Sequence, residues 1–251
     1  MLDIDMIAEP FCGTPAGAGK GDSTVTTTTD LEIRVGQQVG AVSGLLLRPP
    51  NPWATYVLAH GAGAGMRHRF MEAIAKALAE RGIATLRYQF PYTEAGGRRP
   101  DPPGVLEATV RAAVAKAREL APDLPLLAGG KSLGGRMTST AVARRPLEDL
   151  AGLVFLGFPL HPARQPAVTR AEHLDRVGAP MLFLQGTRDD LADLELITSV
   201  CRRLGSRATL HVVEGADHSF AVLKRSGRTD TEVMDELADV TAAWWRAHGN
   251  G

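Results

Sequence analysis

The chain lacks an excess of charge of either sign: 28 basic residues face 28 acidic ones among 251. That balance leaves no global field to draw in nucleic acid or an anionic membrane. Cysteine is nearly missing. Cys12 and Cys201 stand too far apart in sequence to suggest a disulfide framework. Cys201 also falls on an apolar helical stripe, where a buried free thiol is expected rather than a reactive one. No basic-then-apolar stretch opens the chain, and its longest apolar run, residues 150–160, is too short to span a bilayer. The seven histidines show no metal-ligand spacing, so neither a metal nor another cofactor is expected. These absences point to a protein of the reducing cytoplasm; a monomer or homodimer is expected, acting on a small-molecule substrate.

What is present is alternation. Residues 1–23, rich in Gly, Ala, Pro and Ser and without periodicity, read as a flexible tail. Residues 24–251 read as one α/β domain, long enough to bury a large core. Two β-rich segments, 24–35 and 39–47, suggest an antiparallel start to a sheet. Short apolar strands follow at 55–59, 83–88, 124–128, 152–156, 180–184 and 208–213. Nearly continuous apolar runs of that length belong to a parallel sheet covered on both faces. Helical spacing joins Phe70, Ile74 and Leu78, then Leu106, Val110 and Val114. It also joins Leu194, Ile197, Cys201 and Leu204, and finally Val233, Leu237, Val240 and Trp244. The expected architecture is a doubly wound sheet of about eight strands, with ligands beyond the carboxyl ends of the strands.

Between the apolar run 124–128 and a helix-like run from Met137 stands Gly130-Lys131-Ser132-Leu133-Gly134. A serine flanked at both second neighbours by glycine, on a strand-to-helix turn, is the nucleophile-elbow pattern. Such a serine needs a histidine to take its proton and an acid to orient the histidine, in the chain order Ser, acid, His. Strand 180–184 runs into Gln185-Gly186-Thr187-Arg188-Asp189-Asp190, and strand 208–213 into Glu214-Gly215-Ala216-Asp217-His218. Ser132, Asp189 and His218 therefore form the expected triad. Asp190, also placed to cap the next helix, is the first alternative for the acid, with Asp193 and Asp217 open behind it. His211 lies inside a strand and is set aside.

Oxyanion donors are expected from the Leu133 amide and from the loop after strand 55–59, which reads His60-Gly61-Ala62-Gly63-Ala64-Gly65. Ala62 is the expected second donor, with Gly63 as the alternative. Gly61, Gly63, His68, Tyr92, Lys131 and His161 fall at the same edge as possible pocket walls, an ordinary surface or packing role being the competing reading for the side chains. Arg98 and Arg99 read as a solvated loop. Two rival glycine motifs fail: a phosphate-binding loop needs glycine where Pro125 stands, and a dinucleotide fingerprint needs one where Met66 stands.

With these residues in place the chain resembles the α/β-hydrolase superfamily, in its small branch near dienelactone hydrolases. The resemblance covers roughly residues 35–248. More narrowly, it resembles a bacterial hydrolase-like family related to the hydrolase-like domain of a subunit of the animal non-specific-lethal histone-acetyltransferase complex. The strings that carry this are His60-Gly61-Ala62-Gly63-Ala64, His68 with Phe70-Met71, Gly129-Gly130-Lys131-Ser132, Phe158-Pro159-Leu160-His161-Pro162 and Gly215-Ala216-Asp217-His218-Ser219-Phe220. The resemblance implies an α/β-hydrolase fold. The short connection 159–170 leaves no room for a large lid. Dienelactone hydrolases usually carry a cysteine nucleophile, so Ser132 departs from them. The expected activity is hydrolysis of a small, short-chain carboxylic ester through an acyl-enzyme. Peptidase or thioesterase action is open to the same machinery, and the rival expectation is a binding or scaffold protein that keeps the fold without turnover.

Overall fold

A computed structural model of the protein describes residues 25–248. The expected tail, 1–23, and Cys12 lie outside the described residues. Eight strands form one sheet: β1 (Thr27–Gly36), β2 (Gly40–Arg48), β3 (Ala54–Ala59), β4 (Ile83–Tyr88), β5 (Leu126–Lys131), β6 (Leu150–Leu156), β7 (Met181–Arg188) and β8 (Ala208–Asp217). Their spatial order is β1-β2-β4-β3-β5-β6-β7-β8. β2 pairs antiparallel with β1 and with β4, and every other ladder is parallel.

The period of two along each strand explains the continuous apolar runs. In β6, Leu153 and Phe155 enter one core cluster while Val154 and Leu156 enter the other. The first cluster lies under α3 (Pro103–Leu120), α4 (Leu133–Arg144) and α5 (Leu194–Leu204). The second lies under α1 (Arg69–Glu80) and α6 (Asp230–His248). A short α2, Pro91–Glu94, follows β4. Caps fix several starts: Asp193 accepts from the Leu196 amide at 3.0 Å, and Thr229 with Glu232 forms a reciprocal capping box before α6. Asp190 is exposed and caps nothing, so the expected capping role belongs to Asp193. Among the described residues no helix is long and apolar enough to cross a membrane.

Three differences from the sequence reading have physical causes. Strands β5, β7 and β8 run three to four residues past their expected ends at 128, 184 and 213. Glycines that read as turns are instead sites of close approach: a Cβ on Gly129 would stand 2.0 Å from the Val154 carbonyl oxygen, and one on Gly186 2.2 Å from that of Ala216. Helix α4 begins at Leu133 rather than near Met137, through two glycines whose Cβ positions are occupied by neighbouring carbonyls. The crossover from β6 to β7 carries a 3-10 segment, Thr169–Arg176, where the sequence pattern marked no element. Its buried Ala171 and Leu174, with Val177 at its cap, recur every third residue, which is the period of a 3-10 turn.

Candidate active site

The sheet order reverses between β3 and β5, and the ends of those two strands form a crevice. Ser132, the turn residue between β5 and α4, stands there with φ 51° and ψ −116°, a positive-φ backbone that costs a non-glycine residue on the order of 1–3 kcal/mol. Its flanking glycines are compulsory. A Cβ on Gly130 would stand 2.1 Å from the Ala59 carbonyl oxygen, and one on Gly134 2.5 Å from the same atom. The tight fit tips the Ser132 hydroxyl out beyond the sheet edge.

His218 follows β8 and reaches back over the end of β6 to meet it. Its Nε2 is 2.9 Å from Ser132 Oγ, and its Nδ1 is 2.8 Å from Asp189 Oδ2. The Asp189 side chain is fully enclosed. It accepts a second bond from the Leu191 amide at 2.8 Å and a third from Gln185 Nε2. A carboxylate so placed only accepts, so Nδ1 carries the imidazole proton and Nε2 presents its lone pair to the serine hydroxyl. Of the other carboxylates weighed as the acid, Asp190 is exposed, Asp193 caps α5, and Asp217 Oδ1 accepts from the Ser219 and Ala221 amides. None of them bonds to His218 among the described residues. His211 bonds Glu236 on the far side of β8, at 2.7 Å.

A cavity of about 210 Å³ opens over Ser132. Gly61, Ala62, Gly63, Lys131 and Leu133's neighbour Ser132 line it, together with His68 from the cap of α1. Phe70 and Met71 supply its apolar wall. The Ala62 and Leu133 amides have no acceptor among the described residues. Two expected wall residues are absent from it. His161 is buried beneath the loop, bonding the Pro162 carbonyl and accepting from the Asp193 amide at 3.0 Å, so it anchors the start of α5 instead. Tyr92 is buried against His60 and Phe90, behind the loop rather than in the cavity. A larger hollow, about 650 Å³, lies among Arg34, Arg111 and Arg118 near the amino ends of the strands and holds no nucleophile.

Several residues that secure the site escaped sequence reading. His60 is fully buried; its Nδ1 bonds the Gly61 carbonyl at 2.8 Å and its Nε2 accepts from the Phe90 amide at 3.1 Å. Burial pushes that imidazole down to about 4, so it is neutral at physiological pH. Arg87 donates to the Met66 carbonyl and Gln89 accepts from the Met66 amide, both at 3.0 Å. The glycine-rich loop is thereby pinned from the end of β4. Gln185 ties Asp189 to the Phe158 amide. The available signal was a polar residue at the end of an apolar strand, which Arg87 and Gln185 both satisfy.

Comparison with known proteins follows the same lines. Residues 52–246 match a family described as an alpha/beta hydrolase domain. The structure is similar to a dienelactone hydrolase from Anabaena variabilis, at 21% identity over 89% of this chain and 98% of that one, with a TM-score of 0.69. It is similar to an alpha-beta serine hydrolase homologue from Coxiella burnetii, at 22% identity over 86% and 99%, TM-score 0.67. A lidless serine hydrolase from Xanthomonas campestris matches at 19% identity over 88% and 96%, TM-score 0.66. Among the described residues this chain too carries no lid over the crevice.

Proposed function

The chain belongs to the alpha/beta hydrolase domain family, and on that premise we propose that it is a serine hydrolase of small carboxylic esters. One observation carries the reading: the unbroken hydrogen-bonded path from Ser132 through His218 to an enclosed Asp189. In the proposed reaction Ser132 Oγ attacks the ester carbonyl as its proton passes to His218 Nε2. Asp189 orients the ring and stabilises the imidazolium that forms. The Ala62 and Leu133 amides receive the oxyanion, each contributing about 3 kcal/mol of transition-state stabilisation. His218 then protonates the departing alkoxide, and water, activated by the same ring, releases the acid from the acyl-enzyme.

A cavity of about 210 Å³ without a lid favours a short acyl chain. Further parts of the proposal are a cytoplasmic location, a monomer or homodimer, and residues 24–251 as one hydrolase domain. We also place the chain nearest the bacterial hydrolase-like family related to the non-specific-lethal complex subunit, on the strings quoted above.

A fluorophosphonate probe tests the reading. It should label the wild-type protein and not Ser132→Ala, and a folded wild type that takes no label would end the proposal. In turnover of p-nitrophenyl acetate, His218→Ala should lose at least about a thousandfold in kcat, while His211→Ala keeps most of the activity.

A further inference from the structure

The reaction just proposed leaves Lys131 without a role, although it directly precedes Ser132 and lines the same cavity. Its side chain crosses from the end of β5 to the loop after β8. There Nζ donates to the backbone carbonyl of His218 at 2.6 Å. The ammonium also lies 5.8 Å from the ring centre of Phe70 and 5.5 Å from that of Phe220, two rings stacked on each other. Room for it comes from Gly157, where a Cβ would stand 3.1 Å from Nζ. Nucleophile and base thus have a second link, independent of the bond between Ser132 and His218.

Resting on the hydrolase reading above, we propose that Lys131 is a positioning residue, clamping the histidine loop to the nucleophile's own strand through the His218 carbonyl and the two aromatic faces. The clamp depends on charge. A charge-assisted hydrogen bond is roughly twice as strong as a neutral one, and the attraction to the ring faces exists only for the cation. The groups facing Nζ are Asp189 from the end of β7, Asp217 and His218 from β8 and its loop, and the rings of Phe70 and Phe220; His68 shares the cavity. Burial pushes the amine down to about 8, against the opposing pull of Asp189 and Asp217. The ammonium is therefore held at neutral pH and lost as pH rises through that value, loosening the clamp.

Steady-state kinetics on p-nitrophenyl acetate, with folding checked by thermal melting, tests this. Lys131→Met should lower kcat by about 10- to 100-fold with KM nearly unchanged, and should remove the alkaline decline that wild type shows above about pH 8. Lys131→Cys, aminoethylated in a Cys12→Ser background, should regain most of the kcat and the decline; buried Cys201, its thiol pushed up to about 12, stays unmodified. A Met variant with wild-type kcat and the same alkaline decline would overturn the clamp. A readout without turnover separates the two ideas. In a Ser132→Ala background, Lys131→Met should shift and broaden the His218 imidazole ¹⁵N resonances, and unchanged resonances would refute the clamp. A wild type that takes no fluorophosphonate would instead refute the hydrolase reading and leave that comparison to decide Lys131.

Discussion

His60 moves no proton in the proposed reaction, yet it binds the glycine-rich loop to the turn after β4 from a fully buried position. Its imidazole falls from 6.5 to about 4 on folding, so the unfolded chain binds a proton that the folded one refuses. The stability this residue supports is complete above pH 6.5 and is lost as pH falls toward 4. At pH 5 the loss is about 2 kcal/mol. His173, also pushed down to about 4 by burial, acts in the same direction. Urea unfolding at pH 7 and pH 5 should therefore show wild type losing about 2 kcal/mol more than His60→Gln; equal losses would contradict the assignment. That Ser132, Asp189 and His218 would meet was legible because all three follow carboxyl ends of strands in one sheet. His60, Gln185 and Lys131 were not, since each acts through a partner that the sheet, not the sequence, brings near.

Among the elements, β5 and α4 show how little freedom the elbow has. Gly130→Ala puts a methyl group 2.1 Å from the Ala59 carbonyl, between paired strands that cannot part without breaking their ladder. We expect a loss above about 3 kcal/mol or an insoluble protein. Gly104, in the first turn of α3, has nothing within 4 Å of its Cβ position, and Gly104→Ala should stabilise by about 0.5–1 kcal/mol. Thermal melts of the two variants test the contrast, and a tolerated Gly130→Ala would mean the strands are not so closely set. The identity of each strand could be read from apolar runs, but its end could not. Glycine signals both a turn and a close approach, and only the neighbouring backbone distinguishes them. The 3-10 crossover went unread because its three-residue apolar period is too short to stand out as a stripe.

At the scale of the molecule, two helical layers share one sheet, and the three tryptophans all lie on the same side. Trp244 and Trp245 belong to the core under α1 and α6, with Trp53 packed against it. Phe155 is buried in the opposite core. Phe155→Ala should cost about 3–5 kcal/mol. If the sheet couples its faces into one cooperative unit, tryptophan fluorescence and far-ultraviolet circular dichroism should shift their midpoints together. A fluorescence midpoint left in place while the other moves would show the layers unfolding separately. The doubly wound plan was legible because alternation of strand and helix leaves few ways to cover both faces of a parallel sheet. A different kind of coupling surrounds the elbow, where Gly130 and Gly134 both rest on the carbonyl of Ala59. The Ser132 turn and the start of the glycine-rich loop meet at that one carbonyl, so a shift in either is felt by the other. The wall formed by His68, Phe70 and Met71 stands on the cap and first turn of α1, not on that carbonyl. Descent with modification from this chain would therefore leave the reacting centre fixed and change what it accepts through the first turn of α1.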